Sequence, residues 1–234
     1  MTIEEYFGDW SKVVDLKEVE SIMKKLSTSS RTYTICPQIK DIFKAFKLCS
    51  LKDLKVILLG YDPYPGLYKG KPRATGLAFA NAANTPEKDY SPSLEILKES
   101  VIDYTKPHGI ITFEPSLEKW EEQGVLLLNS ALTCQLGKTD SHSLLWRPFI
   151  SSFLTNLSKC AVGIIYVLLG SHAQAYEPYI NKESNHIIRC RHPSYYARTN
   201  TRMPSDVWKQ VNDILIGQSG YGIEWFKEDK FSND

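Results

Sequence analysis

The sequence contains no apolar run of about 18 residues, so it offers no helix able to span a bilayer, and no contact with a membrane is expected. Its opening stretch, MTIEEYFGDW, is acidic and has no apolar core, which argues against a cleaved export signal. The five cysteines, Cys36, Cys49, Cys134, Cys160 and Cys190, are odd in number and widely spaced, with no CxxC pair. That spacing argues against a zinc finger, an iron–sulfur centre and a disulfide framework. Reduced, mostly buried thiols in an intracellular protein are expected. An excess of one charge is also missing: 28 Lys and Arg stand against 27 Asp and Glu, and any polyanion site must come from local clusters. GxGxxG, GxxxxGK[ST], HExxH and GxSxG are all absent. No dinucleotide, P-loop nucleotide, metal or serine-hydrolase site is therefore indicated.

What is present centres on residues 56–66, VILLGYDPYPG. A buried strand over 54–59 runs into a loop stiffened by two prolines, with Asp62 at its middle. Further apolar runs predict strands over 125–128, 162–169 and 186–190. Helical spacing predicts a helix over about 15–26 capped by Asp15, a polar loop at 27–30 and a second helix through Ile39, Ile42, Phe43 and Phe46. More helices are expected from a Ser93 cap, over 115–124, 148–158 and 173–180, and after a Ser205 cap. The tail from Lys227 reads as frayed. Strands alternating with helices predict an α/β fold. It is a single domain over 1–234, whose central four-stranded, mostly parallel sheet carries helices on both faces, with residues 1–50 as a helical N-terminal part.

Each predicted strand is followed at once by a polar residue: Asp62, Asn129, Ser171 and His192. In a parallel sheet these four ends share one side, where α/β folds bind ligands. Asn129 could read an amide–carbonyl edge such as that of a nucleobase, and Phe79 could stack on a flat ring. Basic residues gather locally. Residues 184–205 hold Arg189, Arg191, Arg198 and Arg202 around Tyr195 and Tyr196, without Asp or Glu; Lys69, Lys71 and Arg73 follow Asp62. Such loops fit a phosphate backbone.

Six segments carry a resemblance: GYDPYPG at 60–66, GLAFA at 76–80, SPSL at 91–94, QGVLLLNSALT at 123–133, GSHAQ at 170–174 and HPS at 192–194. In order and separation they resemble the signatures of family 1 uracil-DNA glycosylases. The resemblance implies a monofunctional glycosylase of the three-layer sandwich fold that flips uracil from DNA, hydrolyses its N-glycosidic bond and starts base excision repair. It makes Asp62 the acid that orients water and stabilises the sugar cation, and His192 the donor to uracil O2. Tyr64 excludes thymine, Phe79 stacks, Asn129 reads the polar edge, and Tyr61 lies in the substrate-binding loop. Ser91, Pro92, Ser93, Ser171 and Ser194 match residues that pinch phosphates. Tyr196 takes the place of a wedge that is usually Leu, with Arg198 beside it.

Some positions depart from the family pattern. Tyr61 stands where Gln is usual, Ala80 where Ser is usual, and Pro65 where His is usual, although poxvirus-type members also carry Pro. The implied partners are uracil-containing DNA, single- or double-stranded, and a protein inhibitor that mimics uracil or DNA. The protein is expected to be a monomer without metal or cofactor. Its expected site of action is the cytoplasm if prokaryotic, the nucleus or a viral replication site otherwise. Two alternatives are a DNA-binding scaffold of reduced activity, motivated by Tyr61 and Pro65, and a mismatch-type glycosylase, which typically has Asn where Asp62 stands.

Overall fold

Val125–Asn129, Val56–Gly60, Ile165–Leu169 and His186–Cys190 lie side by side in that order, each neighbouring pair parallel. Val56–Gly60 and Ile165–Leu169 are buried along their whole length, which requires cover on both faces of the sheet. The structure, a computed structural model, describes residues 2–229.

In chain order, α1 (Ile3–Phe7) opens on a capping box between Thr2 and Glu5. Helix α2 (Leu16–Ser29) starts where Asp15 accepts from the Lys17 and Glu18 N–H groups. It runs on through Ser27–Ser29, which the sequence reading takes as loop; Ser and Thr there bond back to carbonyls of the last turns. Strand β1 (Ile35–Cys36) precedes a 3-10 turn at Ile39–Asp41 and α3 (Lys44–Leu48). The expected single helix is therefore broken at Phe43. The break leaves the Asp41 carbonyl against Gly76, where an added Cβ would come within 1.9 Å of it. Strand β2 (Val56–Gly60) leads into a small hairpin of β3 (Leu67–Tyr68) and β4 (Lys71–Pro72).

Helix α4 (Pro92–Thr105) has Ser91 at its cap position, two residues before the expected Ser93, with Pro92 at its first position, where the missing N–H costs nothing. After β5 (Ile110–Thr112), the helix expected over 115–124 shrinks to α5 (Glu118–Glu121). Left-handed backbone at Leu117 and Gly124 bounds it. Strand β6 (Val125–Asn129) and β7 (Cys134–Gln135) follow, β7 pairing with β1. Helix α6 (Ser143–Cys160) starts well before Pro148 and carries that proline inside. The carbonyl Pro148 leaves unpaired belongs to the exposed Leu144, within reach of water. Strand β8 (Ile165–Leu169) starts later than expected, because Gly163 turns the chain at φ 75°.

Helix α7 (Ser171–Gln174) is a single turn, and a 3-10 turn at Glu177–Tyr179 replaces the rest of the expected helix, interrupted by Pro178. Strand β9 (His186–Cys190), α8 (Pro193–Thr199) and α9 (Asp206–Ser219) complete the layers. Lys227 does not begin a frayed end. Strand β10 (Lys227–Asp229) pairs antiparallel with β5, and the Glu228 carboxylate accepts from the His108 and Gly109 N–H groups. The remainder of that expected tail, 230–234, lies outside the described residues.

Strand β6 is an edge strand, yet its outer side is closed. The Leu127 N–H donates to Glu121 Oε1 at 2.8 Å, and the Leu127 carbonyl accepts from the Ala78 N–H at 3.1 Å. This second bond docks the GLAFA segment on the sheet without making it a strand. Among the described residues no helix is long and apolar enough to cross a membrane.

Candidate active site

The pocket sits at the carboxyl ends of the sheet, where β2 and β6 end as neighbours in register, Gly60 beside Asn129. The next residues of β2's loop supply Asp62 and Tyr64, the docked GLAFA segment supplies Phe79, and the residue before α8 supplies His192. These five side chains line one recess together with Ser93, Leu132 and Ala74. Gly60 makes room for them. A Cβ there would come within 2.6 Å of Asn129 Oδ1 and 2.8 Å of Phe79 Cζ.

Each group has a defined state. Asp62 is partly buried and its Oδ2 accepts from the Asp140 N–H at 2.7 Å. Burial pushes its carboxyl above the usual range, and that N–H bond opposes the shift. Tyr64 donates its hydroxyl to the Phe79 carbonyl at 2.9 Å, and burial raises its phenol, so it stays neutral. Phe79 holds φ 67°, a left-handed conformation that costs an aromatic residue of order 1 kcal/mol. The Tyr64 and Leu127 bonds to residues 78 and 79 keep it there. Its ring stands 5.6 Å from that of His192. Among the described residues the Asn129 amide has no hydrogen-bond partner, so both its donor and its acceptor are free.

His192 Nδ1 accepts from the Ser194 N–H at 3.2 Å and lies 2.8 Å from the Ser194 hydroxyl. An acceptor Nδ1 puts the proton of the neutral ring on Nε2. Burial, helped by the positive charges of Arg198 and His172, pushes the imidazolium down to about 4. At neutral pH His192 is therefore an uncharged donor.

Beside the recess runs a groove of about 480 Å³ that shares Asp62, Tyr64, Ser93 and His192 with it and adds Ser171, Ser194 and Arg198. Ser171 and Arg198 are exposed, as is Pro92 at the start of α4. Three expected positions differ. Tyr61 turns its ring away from the recess and stacks on His172, centroids 3.7 Å apart. Ser91 is buried, its hydroxyl and N–H both engaged by Asn81. Tyr196 does not protrude: it is 8% exposed, its hydroxyl 3.4 Å from Cys190 Sγ. In α8 the pair Pro193 and Tyr196 faces inward, three residues apart, which leaves Arg198 outward and Tyr195 half-buried under the Arg191 guanidinium. Sequence reasoning also missed Asp140, which acts on Asp62 through its backbone and so leaves no side-chain signature. Gly60 was legible only as the first residue of the loop after a strand.

A family model for the uracil DNA glycosylase superfamily matches residues 46–216. Uracil-DNA glycosylases of Yersinia pestis and Yersinia pseudotuberculosis are 38% identical over 198 residues, covering 82% of this chain and 81% of theirs. Among solved structures, mimivirus uracil-DNA glycosylase superposes with a TM-score of 0.75 at 23% identity, covering 95% of this chain and 91% of that one. A UNG from Nitratifractor salsuginis gives 0.60 at 18%, covering 94% and 92%. The chain belongs to the uracil-DNA glycosylase superfamily, whose members excise uracil from DNA in base excision repair, and excision of uracil is its activity.

Proposed function

We propose that the chain is a family 1 uracil-DNA glycosylase whose single recess receives a uracil swung out of DNA. One observation carries the assignment of roles: a free amide, a neutral imidazole with a fixed Nε2–H and a partly buried carboxylate line the same space. A base within the duplex stack is out of reach, so it must leave the stack at a cost of a few kcal/mol. Phe79 then stacks on its face, and Asn129 meets its polar edge with one donor and one acceptor. As the C1′–N1 bond breaks, N1 keeps the electron pair and the sugar becomes cationic. Asp62 faces that cation and orients a water, while His192 Nε2–H donates to O2 of the departing anion. Water oxygen bonds to C1′ and the released proton ends on uracil. The balance needs only water.

Pro92, Ser93, Ser171, Ser194 and Arg198 hold flanking phosphates, and Tyr195, half-buried on α8, is nearer the duplex than Tyr196, to which spacing gives that place. Pro65 is a poxvirus-type feature, its carbonyl pinned by the Gly137 N–H at 2.7 Å. The groove also fits a protein inhibitor that mimics uracil or DNA; two of the fold neighbours, mimivirus UNG variants, were solved in complex with UGI. The reading keeps the expected monomer acting inside the cell.

Release of uracil from single- and double-stranded oligonucleotides, with Asp62→Asn as control, tests the reading. Wild-type protein that releases none would overturn it. Two specificity variants refine it. Tyr64→Ala should open the floor beside C5 and admit thymine; Asn129→Asp should relax selection against cytosine. Product analysis on thymine- and cytosine-containing strands reads both, and unchanged selectivity would remove those two roles. Gly60→Ala should displace Asn129 or Phe79 and slow release by roughly tenfold or more, at a stability cost of about 1–3 kcal/mol. An unaltered rate would mean that the recess has slack at Gly60.

A further inference from the structure

We propose that a second, basic cleft beside the base recess holds the phosphodiester backbone of the strand leading away from the flipped nucleotide. It rests on the uracil-excision reading and extends it to a nucleic-acid contact outside the recess and its groove. The cleft encloses about 450 Å³ and adjoins the recess at Ala74. One wall is the β3–β4 hairpin with Lys69, Lys71 and Arg73; the facing side carries Asp41 and Lys44.

The charges there are uneven. Lys44 is matched by Glu118 at 2.7 Å. Among the described residues, Lys69, Lys71 and Arg73 make no ion pair with any carboxylate. Arg73 donates instead to the Asp89 carbonyl at 2.8 Å. In a chain of net charge +1, three uncompensated cations on one hairpin are a local field rather than a share of a general one. They share one short wall of the cleft around Tyr68, with Lys71 opposite it in the hairpin, and such a wall fits phosphate oxygens of a backbone.

The hairpin is also rigid. Lys69 and Gly70 both hold positive φ, the geometry of a two-residue turn that suits strand twist. Tyr68 donates to Asp89 Oδ2 at 3.0 Å, with the Arg73 guanidinium and the Lys69 ammonium 4.9 and 5.1 Å from its ring centroid. Little ordering cost remains when a strand arrives. A separate observation concerns the facing loop. The Thr85 side chain bounds the cleft, is 95% buried, and its hydroxyl has no hydrogen-bond partner.

The test is the double variant Lys69→Ala with Lys71→Ala, both at exposed positions. Its kcat/KM would be measured on uracil strands of about 20 and about 4 nucleotides over a range of salt. The long strand should lose roughly tenfold, and its log–log salt slope should shrink by about 1.4, two single-strand phosphate contacts. The short strand should be cleaved as by wild type, and Lys69→Arg with Lys71→Arg should restore the long one. Equal loss on both lengths, or an unchanged slope, overturns the proposal. Anisotropy of a uracil-free labelled strand gives a readout without chemistry: unchanged affinity in the double variant also overturns it. Failure of wild type to release uracil from either length would instead strike the excision reading.

Discussion

Asp62→Asn is expected to slow uracil release by about a thousandfold while DNA affinity stays within a few-fold. The substitution keeps shape, and Asn Oδ1 can still accept the Asp140 N–H that now bonds Asp62 at 2.7 Å. What it removes is the negative charge that the proposed role sets against the sugar as the glycosidic bond opens. Stability gives an independent readout. Burial raises the folded pKa of Asp62 above its unfolded value, so the folded state holds its proton more tightly. Ionisation of Asp62 therefore costs stability as pH rises through that range, and at neutral pH the Asn variant should melt no lower than wild type. Single-turnover release with thermal melts on the same samples checks both. A near-normal rate would remove Asp62 from the chemistry.

His192→Leu should lose about a hundredfold to a thousandfold, the usual consequence of deleting one donor to a developing anion. Its pH signature separates a catalytic donor from a packing residue. His192 is held down to about 4 when folded, against an ordinary value near 6.5. Between those values the unfolded chain binds the extra proton, so wild-type stability falls as pH drops from about 6.5 to about 4 and is level above. The Leu variant should lack that slope. Activity behaves differently. The neutral donor persists to about pH 4, and protonation of Asp62, whose carboxyl burial raises, adds to the acid limb. A pH–rate profile with a limb near 6.5 would mean that His192 titrates freely and is not the donor described.

That Asp62, Asn129 and His192 share one recess, with Ser171 in the adjoining groove, was legible because buried strands write themselves as branched apolar runs, and parallel strands force their following residues to one side. Strand β9 matches its expected bounds. Helix ends were less legible where proline misled: Pro148 reads as a start but sits inside α6, tolerated because its orphan carbonyl faces water. Counting from His192 finds position 196 but not its direction. Only when α8 is known to begin at Pro193 does the three-residue period turn Tyr196 inward. The Tyr61–His172 stack, the strand at Lys227–Asp229 and the backbone service of Asp140 depend on contacts between distant segments, and no local pattern encodes those.

The closure of β6 has a consequence beyond aligning Phe79. An outermost strand with bare amides is a template on which another copy's strand can dock, and sheets joined this way grow without limit. Here the Glu121 carboxyl and the Ala78 amide occupy the Leu127 positions that a stranger would use. A chain stripped of that carboxyl would first betray itself as light-scattering polymer, ahead of any change in how the remaining dissolved molecules handle uracil.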